Sequence, residues 1–77
     1  MSRLNLNRIN LAYKRIQRLI HLETIDGFKA IHIDCQDYLE LDELQVDERF
    51  ELINILKQMY SRVEYETDFS LIVIEWN

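Results

Sequence analysis

The sequence predicts a small α+β (or small α/β) fold, and three observations lead there. Apolar residues recur at three- and four-residue spacing over residues 5–22 and again over 47–62, the period of one helix face. Residues 28–35 alternate, and residues 71–74 form an unbroken apolar run, which are both strand patterns. The 77 residues are 48% apolar with one Gly and no Pro, so a single folded domain over 1–77 is expected rather than a disordered tail. The predicted order is helix, strand, a short second strand if one forms, helix, strand. A sheet of two or three strands would pack against two helices.

The first helix follows from Ile9, Ala12, Tyr13, Ile16, Leu19 and Ile20 sharing one side. Asn5 or Asn7 can cap its start, and Asp26-Gly27 can end it. The same Asp-Gly pair could instead turn a hairpin between 22–25 and 28–31, but the periodicity through Ile20 favours helix, loop, strand. In the strand at 28–35, Ile31, Ile33 and Cys35 point one way and Ala30, His32 and Asp34 the other.

Residues 38–41 alternate as a short second strand would, and Leu44 and Val46 tie the following loop to the core. Asp47 reads as the N-cap of the second helix, with Glu48 and Glu51 in the first turn favoured by the helix dipole. Its predicted buried stripe is Phe50, Ile53, Leu56, Tyr60 and Val63, flanked by Leu52 and Met59. Residues 64–67 either pair briefly or connect. Residues 69–76, apolar on both faces at their centre, read as an interior strand covered above and below. Tyr13, Tyr60, Phe28, Phe50, Phe69 and Trp76 fall mostly at core positions, Tyr38 and Tyr65 in edge segments.

Charge is divided along the chain. The first 22 residues hold five bases (Arg3, Arg8, Lys14, Arg15, Arg18) and no acid; the remainder holds four bases and all fourteen acids, for a net charge of −5. Arg8, Lys14, Arg15 and Arg18 fall opposite the core face of the first helix, among Leu4, Leu11 and Leu22, so that face is basic and partly apolar. Residues 34–51 carry eight acids against one base, Arg49.

Chemistry is sparse. His32, Asp34 and Cys35 adjoin, yet alternation sends Cys35 to the other face, and a closed zinc site needs four ligands. Neither His32 nor His21, expected on the outer surface of the first helix, is placed to activate the Cys35 thiol as a nucleophile. The acidic run lacks the Gly that calcium loops place at their sharp turn. With Gly27 alone, no glycine-rich phosphate loop and no Gly-x-x-Gly RNA clamp can form. Hence no catalytic residue, no metal and no cofactor is expected.

The expected function is a non-catalytic, acidic protein-interaction module, such as a small regulator, inhibitor or immunity-type protein. Asp37, Tyr38, Glu40, Asp42 and Glu43 would meet a protein partner with a basic surface. The alternative is a nucleic-acid-binding regulator using Arg8, Lys14, Arg15 and Arg18, with Asn10 and Gln17 the amides suited to base reading; net acidity makes that partner the less expected one. So small a core, with one cysteine and hence no internal disulfide, also leads us to expect a homodimer. No membrane partner is expected from an apolar run this short, and the lone thiol with no export signal places the chain in the cytoplasm.

Overall fold

A computed structural model describes residues 5–77. Helix α1 runs Leu6–Ile25. Asn5 is its N-cap, the side-chain oxygen accepting from the N–H groups of Asn7 (3.1 Å) and Arg8 (3.2 Å). At the other end Gly27 sits at φ +90°, a left-handed conformation that suits a residue without Cβ. Phe28 N–H donates to Glu23 O (2.9 Å) and Gly27 N–H to Thr24 O (3.0 Å), the paired bonds of a Schellman stop. That stop carries α1 three residues beyond the expected 22 and leaves no hairpin there. Ile9, Ala12, Ile16 and Ile20 are buried, as the spacing predicts. Arg3 and Leu4 lie outside the described residues.

Strand β1 covers Ala30–Asp34, and the Asp34 side chain caps the 3-10 turn Cys35–Asp37 by accepting from Gln36 N–H (2.9 Å). The expected strand at 38–41 is instead one helical turn, α2, Leu39–Asp42. Leu41 and Leu44 are the buried residues here, and three-residue spacing puts both on one side only in a helical turn. The apparent alternation misled because Leu39 is 68% exposed.

Helix α3, Val46–Met59, starts from Gln45 rather than from the expected cap Asp47. Glu48, three residues on, returns its carboxylate to Gln45 N–H (2.9 Å), half of a capping box. Its inward stripe is Glu48, Leu52, Ile53 and Leu56; Phe50, expected inside, is 48% exposed, and Val63 lies beyond the helix in β2. Phe28 and Phe69 are exposed as well, and so is Val46.

Strands β2 (Arg62–Glu66) and β3 (Leu71–Glu75) complete a sheet of order β1-β3-β2, antiparallel throughout. An antiparallel sheet with helices segregated on one face makes the fold α+β. Central β3 pairs Ile72 with Ile33 and Tyr65, and Ile74 with Ile31 and Val63. These inner positions rest on the helices.

Among the described residues the sheet is covered on that face alone, which corrects the doubly covered reading. On the open face Val73 is half-buried between exposed His32 and Glu64, and Arg62 donates to Glu64 (2.9 Å) and Glu75 (2.8 Å). Among the described residues no helix is long and apolar enough to cross a membrane.

Candidate protein-interaction surface

Two buried or half-buried side chains hold the charged segments in place. Glu48 is 2% exposed, and its two oxygens accept from Gln45 N–H and Asn5 N–H, both at 2.9 Å. One carboxylate thus ends two helices, α1 and α3, where the dipole of each favours negative charge. Arg8 approaches the same carboxylate at 3.7 Å.

Arg49, the one base in the acidic run, donates through Nη2 to Leu41 O (3.3 Å) and Asp42 O (3.2 Å), the terminal carbonyls of α2. Through Nη1 it reaches Tyr65 Oη (3.3 Å) and Ser70 Oγ (3.4 Å). A cation at a helix C-terminus is favourable, and this one also ties α2 to the β2–β3 turn. The price is a buried Nε with no acceptor among the described residues.

The acidic residues expected to bind a partner divide into two sets. Asp37, Asp42 and Glu43 are exposed and make no ion pair among the described residues. Glu40 is tied internally, its Oε2 accepting from Arg15 Nε at 2.8 Å. Its own backbone N–H first, and Arg15 second, hold that carboxyl below the ordinary range. Tyr38 is half-buried, with the Arg15 guanidinium 5.8 Å from its ring centre.

Of the alternative set, Arg8 and Arg15 are therefore engaged by acids of the same chain, while Lys14 and Arg18 form no ion pair among the described residues. Leu11, Lys14, Arg15, Arg18 and Glu40 line a cleft of about 270 Å³ between α1 and α2. The two amides suited to base reading are elsewhere. Gln17 donates to Tyr60 Oη (2.6 Å), and Asn10 lines an apolar groove with Leu6, Ile9, Tyr13 and Ile55.

The His32, Asp34, Cys35 run does not converge. His32 is exposed on the open sheet face, Asp34 caps the 3-10 turn, and Cys35 is buried with its N–H bonded to Ser70 O (2.9 Å). Among the described residues no three His, Cys, Asp or Glu side chains are grouped to hold a metal ion. Burial pushes the Cys35 thiol pKa up, with nearby Asp34 and Asp42 adding to the rise against the opposing pull of Arg49. The thiolate is the reactive form, so native Cys35 is expected to resist iodoacetamide at neutral pH and to label fully in denaturant. Native labelling at the rate of a free cysteine would refute that burial.

Sequence reasoning missed the roles of Glu48 and Arg49. The Gln45-x-x-Glu48 spacing was the available signal for the first; the second had none beyond being the lone base among acids. Comparison of the chain with protein-family models, with curated proteins and with solved structures finds no match.

Proposed function

We propose that the chain is a non-catalytic interaction module of the cytoplasm, a small regulator, inhibitor or immunity-type protein whose acidic edge competes for a basic groove on another protein. The supporting observation is the group Asp37, Asp42 and Glu43, exposed around Leu39 on a turn that Arg49 anchors. Carboxylates without an internal base keep their charge available to a partner, and the exposed leucine adds apolar contact. Charge of this kind speeds encounter and selects the partner more than it supplies affinity. Tyr38 and Glu40 serve behind this edge, locking α2 to α1 through Arg15. A free thiol suits a reducing compartment.

Nucleic-acid binding through α1 is the second reading, favoured by Lys14 and Arg18, which form no ion pair among the described residues. It is the weaker one, because Arg8, Arg15 and Gln17 are already committed inside the chain.

Bait capture separates the two. Immobilised wild type is expected to retain proteins with basic surfaces from nuclease-treated lysate of the source cell, and Asp37→Lys/Glu43→Lys is expected to lose them. Retention that disappears on nuclease treatment and on Lys14→Glu/Arg18→Glu, but survives the acid reversals, would transfer the function to the α1 face.

A further inference from the structure

We infer that the basic stripe of α1 and the acidic ridge of α2 form one self-complementary surface, on which a second copy of this chain docks about a two-fold axis. This rests on the reading that the acidic edge seeks a basic, partly apolar surface, and it adds that the chain itself carries such a surface.

The placement follows from the helices. On α1 the buried Ile9, Ala12, Ile16 and Ile20 fix the inward direction. Steps of ~100° per residue then set Leu11, Lys14 and Arg18 outermost and Arg15 on one flank. On α2 the buried Leu41 points inward, so the same steps put Leu39 and Glu43 on the outer ridge and Glu40 to one side. The Arg15–Glu40 pair at 2.8 Å joins those two flanks. The positive and negative patches therefore lie side by side, with the ion pair as their border.

A two-fold axis through such a border lays the bases of each copy on the acids of the other, so every contact forms twice. Leu11 (56% exposed), Leu22 (51%) and Leu39 (68%) supply apolar area to bury between the charged patches. Packing α1 directly on its own copy would oppose Lys14 and Arg18 to bases instead. Nucleic acid fits less well, because a polyanion seated on Lys14 and Arg18 would also meet Glu40, which lines the same cleft, on a chain of net charge −5.

Reversal and mixing test this. Light scattering of the full chain at micromolar concentration and low salt should give twice the 9.4 kDa of one chain. Association should weaken as salt shortens the screening length to ~8–10 Å near physiological strength. Lys14→Glu/Arg18→Glu and Asp37→Lys/Glu43→Lys should each associate at least ~10-fold more weakly than wild type, like charges now facing each other. All four residues are exposed and form no ion pair among the described residues, so circular dichroism should show both variants folded.

The equimolar mixture of the two variants should recover the dimer, since both symmetry-related contacts are complementary again. Wild type that stays monomeric, variants that dimerise as wild type does, or a mixture that stays monomeric would each overturn the inference. So would a monomer whose Lys14 and Arg18 serve only to bind a duplex DNA probe. The bait capture above is independent. Loss of basic partners by the acid reversal in a chain that never dimerises sinks the dimer and keeps the interaction reading. A dimer restored by mixing, with capture unaffected by the acid reversal, does the opposite.

Discussion

Truncating Ile72 to alanine is expected to lower the unfolding free energy by about 2–5 kcal/mol, as removal of a buried branched side chain generally does. Ile72 is 2% exposed on the inward face of the central strand β3, paired on one side with Ile33 of β1 and on the other with Tyr65 of β2. The cavity would open where all three strands meet the helices, and neither edge strand can close it without breaking its ladder. Domains of this kind have total stabilities of about 5–15 kcal/mol, and a chain this short belongs at the lower end. The variant should therefore be partly unfolded at moderate temperature. Ile72→Val should cost only about 0.5–1.5 kcal/mol. Val73→Ala, on the open face between His32 and Glu64, should cost less than Ile72→Ala. Urea titrations followed by circular dichroism measure all three. Equal losses at 72 and 73 would mean that both sheet faces are covered, contrary to the one-sided packing described.

That one-sidedness shows where sequence pattern runs out. Leu71, Ile72, Val73 and Ile74 are all apolar, so nothing in the run itself says that only Ile72 and Ile74 face the helices; the polar partners of Val73 (His32 and Glu64) and of Leu71 (Asp34 and Glu66) do, once register is known. α1 was legible because Ile9, Ala12, Ile16 and Ile20 keep three- and four-residue spacing while the bases Arg8, Lys14, Arg15 and Arg18 fall away from them, and its Asn5 cap and Gly27 stop are local chemistry. α3 was legible as a helix but not in its rotation. Apolar residues at 50, 52, 53, 55, 56 and 59 cover more than one face, and the position that fixes the inward side is an acid, Glu48. α2 was lost because four alternating residues satisfy a strand pattern and a helical turn equally; burial of Leu41 with Leu44 decides between them. Of the candidate surface, the division of charge along the chain was plain. Which charges remain available was not, because the pairs Arg15–Glu40 and Arg8–Glu48 join residues far apart in sequence.

Glu48 carries the other large expected effect. Its buried carboxylate accepts from the N–H groups of Asn5 and Gln45 at 2.9 Å each, so one side chain closes the first turns of both long helices. Hydrogen bonds to a charged group contribute about 1.5–3 kcal/mol each, and leaving the donors unmet adds their desolvation. Asn5 and Gln45 are both exposed, so water recovers part of that cost at each donor. Glu48→Ala is therefore expected to destabilise by about 3 kcal/mol, with a small cavity beside Leu52 included. Glu48→Gln distinguishes chemistry from packing. It keeps the volume but replaces one accepting oxygen by an NH2 group that faces an N–H donor, so one helix start is lost and the other kept. Its cost should fall between those of wild type and alanine. Hydrogen exchange should locate the damage, with faster exchange of the first-turn amides of α1 and α3 and little change in β3. Glu43→Ala, an exposed acid in the same run, should change stability by no more than about 0.5 kcal/mol. If Glu48→Ala behaves like Glu43→Ala, the shared cap does not hold the two helices together, and the charged edge that α2 presents rests on Arg49 and Arg15 alone.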